Sequence, residues 1–139
     1  MRYILKIDYD NRKIRKEFKW RIGKLFQVYY TKRPYIPFIS VFRVHRTRKG
    51  YHLYMFMDDK EKFRTATEKK LAILVIQASL GSDPIRSAYD YLRVCRNAKV
   101  WNILFTSKYL KGKHYDFEED TAMRDSLNAI INKERGQYG

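Results

Sequence analysis

The 139-residue chain predicts one α+β domain over residues 1–139, with an antiparallel sheet of about four strands and helices mainly on one face. Three observations carry this. The opening segment alternates apolar and polar residues with the period of a strand. Two further β-rich runs flank a short turn containing glycine. Stripes of apolar residues spaced three and four apart separate these runs, as amphipathic helices require. A chain of this length buries roughly two thirds of its unfolded surface, enough for one core. At 45% hydrophobic residues it is too apolar to stay disordered.

In residues 2–9, Tyr3, Leu5, Ile7 and Tyr9 share one face of the first strand, and Ile4, Lys6 and Asp8 share the other. Ile14, Phe18, Ile22, Leu25 and Tyr29 then form a helical stripe opposite Arg12, Arg15, Lys16 and Lys19, and Pro34 and Pro37 end it. Residues 38–46 and 51–57 read as a hairpin around Thr47-Arg48-Lys49-Gly50. A helix from about Asp59 carries Phe63, Thr67, Leu71, Leu74 and Ala78 on one side and stops at Gly81. Asp83-Pro84 opens the next helix as cap and first residue, with Ile85, Ala88, Tyr89 and Leu92 expected inward. Val100 to Thr106 reads as a fourth strand. A last helix, capped by Asp120 or Thr121, turns Met123, Leu127, Ile130 and Ile131 inward. The order β-α-β-β-α-α-β-α matches a split ferredoxin-like (RRM-like) pattern with one helix broken in two. That topology leaves one sheet face open and makes the first and third strands central neighbours.

Thirty Lys and Arg against fifteen Asp and Glu give a net charge of +15. The first sixty residues carry +11 of it, the rest +4. Such a field repels copies of the chain and attracts polyanions, nucleic acid before anionic membrane. The single cysteine, Cys95, excludes an internal disulfide and fits a reducing cytoplasm. Its place in a helix pattern reads as a buried structural thiol. No secretory signal follows Met1, and the longest apolar run, Leu71 to Ile76, is too short to span a bilayer.

Three constellations bear chemistry. Asp8 and Asp10 end the first strand two residues apart, so their carboxylates point the same way and can grip a divalent metal. The same spacing also suits a strand end turning into a polar loop. In Arg48-Lys49-Gly50-Tyr51-His52-Leu53-Tyr54, His52 shares a face with Tyr54 and Phe56, an imidazole among stacking rings, with Arg46, Arg48 and Lys49 placed for phosphates. In Asp90 to Arg96, Arg93 and Arg96 can bind phosphate, although Asp90 and Arg93 equally make an ordinary i,i+3 surface pair.

Read together, these segments resemble the archaeo-eukaryotic primase (primase-polymerase) superfamily. Ile7-Asp8-Tyr9-Asp10 corresponds to its carboxylate pair, and Gly50-Tyr51-His52 to its Ser-x-His, with glycine in place of serine. Gly81-Ser82-Asp83-Pro84, Asp90 to Arg96, Asn102 and Lys108 follow in the family's order. The resemblance spans residues 4–108 and implies a minimal RRM-like palm. In such a palm Asp8 and Asp10 hold Mg²⁺ or Mn²⁺, and His52 contacts a nucleoside triphosphate. Arg48, Lys49, Arg93 and Lys108 neutralise phosphate. For the third carboxylate Asp58, Asp83 and Asp90 are candidates, and the family's Pro-Gly-Thr after the arginines is absent. The implied role is DNA replication, as a primase-like nucleotidyltransferase in the cytoplasm.

Two other readings share the sheet. A non-catalytic RRM-like module would bind single-stranded DNA or RNA through Tyr51, Tyr54 or Phe56, since Lys49 to Phe56 fits part of an RNP1 octamer. A rolling-circle initiator would use paired histidines and a helical tyrosine, Tyr89 or Tyr91. Its histidines should bracket one residue, whereas His45 lies seven residues from His52. The expected partner in every case is nucleic acid, not a membrane.

Overall fold

The computed structural model describes residues 2–32, 35–104 and 116–138, with the backbone alone at 107–110 and 113–115. The elements in chain order are β1 (Arg2–Tyr9), α1 (Ile14–Lys32), β2 (Phe38–Arg46), β3 (Tyr51–Asp58), α2 (Ala66–Ser79), α3 (Pro84–Cys95), β4 (Ser107–Leu110), β5 (Lys113–Asp116), β6 (Glu118–Glu119) and α4 (Thr121–Arg135), closed by one 3-10 turn at Gly136–Tyr138. The main sheet is antiparallel with strand order β1-β3-β2-β6, and β4 pairs with β5 in a separate ribbon. The α+β architecture and the strand order fit a ferredoxin-like fold. No helix among the described residues is long and apolar enough to cross a membrane.

Period-two alternation sorts the sheet's faces as expected. Tyr3, Leu5, Ile7 and Tyr9 of β1 meet Leu53, Met55 and Met57 of β3 and Ile39, Val41 and Val44 of β2 on one face, all buried. The helical stripe Ile14, Phe18, Ile22 and Phe26 of α1 and Met123, Leu127 and Ile131 of α4 close over them. Full burial of each such side chain contributes about 1.5–3 kcal/mol. Asp120, not Thr121, caps α4 by accepting from the Met123 amide, and Asp83 caps α3 by accepting from the Arg86 amide.

The hairpin turns as predicted, with Thr47 N–H donating to Gly50 O and the Thr47 hydroxyl accepting from Gly50 N–H. Gly50 is required by close approach. A Cβ there would lie 1.8 Å from Tyr9 O and 2.7 Å from Asn11 N, so the backbone leaving β1 occupies the space of a side chain.

Several expectations fail. The helix placed from Asp59 begins at Ala66, capped by Thr65. Asp59 is instead buried and accepts from the Tyr29 and Tyr35 hydroxyls. The inward residues of α2 are Ile73, Leu74, Ile76 and Gln77. Residues 100–104 form no strand, and the fourth strand is the two-residue β6, beside β2 rather than β1. So β1 does neighbour β3 over its full length, but it is an edge strand of the described sheet and not a central one. Helix α3 is turned the other way from its apolar pattern. Ile85, Tyr89 and Leu92 are exposed, and Asp90 and Val94 are the buried residues. Cys95, at the end of that helix, is exposed rather than buried.

Candidate functional site

The outer edge of β1 explains the turned helix. The even residues of β1 aim their backbone groups away from β3, and among the described residues no strand pairs with them. Side chains and loop backbone from α2, α3 and their junction take the strand's place. Gln77 accepts from Lys6 N–H at 2.8 Å, Ser82 Oγ from Asp8 N–H at 3.1 Å, and Arg86 Nη1 donates to Lys6 O at 2.8 Å. The Asp83 amide donates to Asp8 O at 2.8 Å. Unpaired buried backbone groups are costly, so the polar stripe of α3 is drawn inward.

Behind this ladder Gln77 and Asn102 exchange two amide hydrogen bonds of 2.8 and 2.9 Å. Arg86 Nη2 also donates to Asn102 Oδ1, and buried Asp90 accepts from Asn102 N–H. Asn102 adopts φ +57°, a left-handed conformation asparagine tolerates. Burial lowers the Arg86 pKa, opposed by the neighbouring Asp90 and Asp8 carboxylates.

The ladder fixes Asp8 at the rim of the sheet face opposite the helix-packed core. Strand register builds a row across four strands there. Asp8 faces His52, His52 faces His45, and His45 faces Glu119. His52 Nε2 stands 3.5 Å from Asp8 Oδ1. The His52 ring meets Phe117 edge-on at 5.3 Å, and this cover leaves it only 7% exposed. His45 packs edge-on to Tyr54 at 5.4 Å. Among the described residues, the buried Nδ1 atoms of both histidines have no hydrogen-bond partner. Burial, then Arg43, push the His45 pKa down despite the opposing pull of Glu119. Asp10 follows the end of β1, and its pKa is raised by desolvation, then by Asp8 and Asp83, against Lys49 and His52.

A cleft of about 720 Å³ opens beside this row. Asp8, His52 and Arg86 line it on one side; Tyr89, Arg93 and Lys99 line it with apolar Val100, Ile103 and Leu104. The size suits one small ligand of nucleotide scale. Its chemistry combines cations for phosphate, a carboxylate and imidazole at one wall, and apolar surface for a planar group.

The structure therefore brings together Asp8, His52 and Arg93 from the predicted set, with Asp10 near enough to feel the charges of Asp8 and His52. Arg93 also holds the i,i+3 pair with Asp90 at 3.3 Å. Arg48 and Lys49 are exposed on the hairpin turn. Arg46 pairs with Asp120 at 3.2 Å, and Arg96 is exposed at the end of α3 outside the residues lining the cleft. Tyr54 lies on the open face, but Tyr51, expected to stack on bases, points into the core and is 6% exposed. It occupies an odd position in β3, on the side of Leu53 and Met55. The side chain of Lys108 lies outside the described residues. Of the carboxylates weighed as a third acid, Asp58 sits at the far end of the sheet opposite Arg2, and Asp90 is buried in the ladder. Asp83 is the one beside Asp8 and Asp10. Tyr89 lines the cleft; Tyr91 is exposed and is not among the residues lining it.

Sequence reasoning missed Arg86, Lys99 and the Gln77–Asn102 pair. The one available signal was Gln77, a polar residue on the helix face shared with Ile73 and Leu74. His45 opposite His52 was hidden because the hairpin, not sequence adjacency, pairs them.

Two carboxylates and no converging third ligand suit a hard cation that completes its shell from phosphate and water, as Mg²⁺ commonly does. Among the described residues no group of three or more His, Cys, Asp or Glu side chains is arranged to hold a metal by itself. No family profile, curated protein or solved structure matches this chain.

Proposed function

We propose that this domain is a nucleic-acid-binding, primase-polymerase-like palm that takes a nucleoside triphosphate in the cleft beside Asp8. The observation supporting this most is the Asp8–His52 contact of 3.5 Å on the sheet face opposite the helix-packed core, at a cleft walled by Arg86, Arg93 and Lys99. Asp8 and Asp10 would hold Mg²⁺ or Mn²⁺, with Asp83 adding negative charge nearby. That ion, when bound, would neutralise phosphate charge and orient an in-line displacement. Arg93 and Lys99 would grip phosphate oxygens. His52, with Nε2 toward Asp8, would hold a proton where a phosphate oxygen can accept it. Tyr89 and Val100 would bear on the base.

The glycine that replaces the family's serine has a physical reason here, since Tyr9 O leaves no space for any side chain at position 50. The test is primer synthesis or extension with Mg²⁺ and with Mn²⁺. Asp8→Ala/Asp10→Ala should lose at least about 100-fold, as expected when charge stabilisation of the transition state is removed. Equal activity in wild type and variant would end the catalytic reading.

A second reading is favoured by the ring pairs on the open face. Phe38 packs on Phe56 at 6.2 Å and Phe42 on Tyr54 at 6.3 Å, with Phe38 and Phe42 largely exposed. A non-catalytic single-strand binder would stack bases on these rings without metal. Its binding would survive Asp8→Ala/Asp10→Ala and lose about 1–3 kcal/mol with Phe56→Ala.

A further inference from the structure

A second groove, of about 480 Å³, follows the outer edge of β1 away from Asp8. Arg2, Ile4 and Lys6 of β1, Lys69 and Lys70 of α2, and Trp101 line it. The two cavities abut at the bond from Arg86, which lines the cleft, to Asn102, which lines the groove. We propose that this groove is a track for single-stranded nucleic acid, carrying the strand along β1 toward the Asp8 cleft. The inference rests on the nucleic-acid reading above but not on catalysis.

Charge complementarity commits the occupant. Every lining residue that carries charge is a cation, and no acid lines the groove. Arg2 is shared with Asp58, at 3.7 Å. Lys6, Lys69 and Lys70 have no carboxylate at ion-pair distance among the described residues, so their charge is left for an outside anion. Lys70 Nζ lies 5.5 Å from the Trp101 ring centroid, and Lys69 Nζ lies 5.9 Å from that of Tyr3. Trp101 packs partly on the core, which fixes its ring, and remains half-buried in the groove. Ammonium groups beside a fixed indole are what a phosphodiester chain with stacking bases recognises. From Arg2 to Asp8, β1 rises about 20 Å, so the track has room for several consecutive phosphates rather than one.

The chain has two tryptophans, and Trp20 is 60% exposed on α1. Trp20→Phe therefore leaves Trp101 as sole reporter with the fold intact. Titrating that protein with an oligothymidylate of about 8 nucleotides should quench Trp101 saturably. Lys69→Ala/Lys70→Ala should weaken binding about tenfold and reduce the slope of log affinity against log salt by about 1.4. Lys16→Ala/Lys19→Ala, the same charge change on α1, should do much less. Binding seen by anisotropy with no Trp101 response and no effect of the groove lysines would sink the track and leave the proposed function standing. The track fails equally if the α1 pair matters as much, if thymidine monophosphate quenches as strongly as the oligonucleotide, or if only anionic vesicles quench. Absence of any oligonucleotide binding would remove both. Quenching that depends on the groove lysines in a protein inactive in primer extension would uphold the track and reject the catalytic reading.

Discussion

The helix-covered face of β1 and its outer edge are held by opposite means. On the covered face, Leu5 and Ile7 join Phe18, Ile22 and Leu127 in a core that is mainly apolar, and the Tyr9 hydroxyl at the end of β1 donates to Leu80 O. At the edge, Lys6 and Asp8 hand their backbone groups to Gln77, Ser82 and Arg86, and a buried cation and carboxylate stand behind them. The first region is non-directional and tolerant, since any well-shaped apolar side chain contributes. The second is directional, because each donor must meet particular acceptors at hydrogen-bonding distance, as Arg86 Nη1 meets Lys6 O and Ser82 Oγ. A sheet edge closed by side chains resists pairing with another chain, as an edge strand must. Asp8, held by this edge, lines the neighbouring cleft.

Four measurements would sharpen or break this contrast. Phe18→Ala should cost the most, about 3–5 kcal/mol in urea denaturation, through the lost transfer energy and the cavity left. Oligonucleotide affinity of the folded fraction should be unchanged. Arg86→Met should cost about 3 kcal/mol by removing the cation nearest Asp90 Oδ2 and leaving buried Asp90 only the half-exposed Arg93 as ion-pair partner, and Arg86→Met/Asp90→Leu should recover part of that. If the double variant is as unstable as the two single losses added, the pair is not coupled and the ladder is misread.

His45 tests the row across the sheet. Its folded pKa is depressed, so the unfolded chain binds the proton more readily. Its contribution is therefore complete above the ordinary histidine pKa near 6.5 and is lost as pH falls from there toward the folded value. His45→Phe should flatten the stability profile over that window; an unchanged profile would mean that burial does not disfavour the charged ring. The smallest effect should come from Ile85→Ser/Leu92→Ser. These residues are apolar but exposed, so stability should shift by no more than about 0.5 kcal/mol per site. A loss like that of Phe18→Ala would show that α3 packs by its apolar stripe after all.

The elements on the covered face were legible because one rule decided them. Alternation in β1, β2 and β3 and the stripes of α1 and α4 state which side is apolar, and one core receives them all. The candidate site was half legible. Asp8, Asp10 and His52 stood out by residue type and spacing, and β1–β3 register set Asp8 opposite His52. Asn102 stood out only by its order in the chain; Arg86 and the pairing of Gln77 with Asn102 were not visible, because their roles depend on an edge of β1 that no strand among the described residues pairs with. The same absence misled the reading of α3, whose two stripes, Ile85-Tyr89-Leu92 and Arg86-Asp90-Arg93, have equal helical spacing.

Sequence alone determined the positive charge, the strand faces, the hairpin and the cap at Asp83, and narrowed the α4 cap to Asp120 or Thr121, since each depends on neighbouring residues and local backbone chemistry. Tertiary structure alone decided that β1 is an edge, that α3 turns its polar side inward, and that His45 and Glu119 join Asp8 and His52 in one row. These outcomes depend on which distant backbone groups are left without partners once the core has closed, and that pairing is settled only in three dimensions.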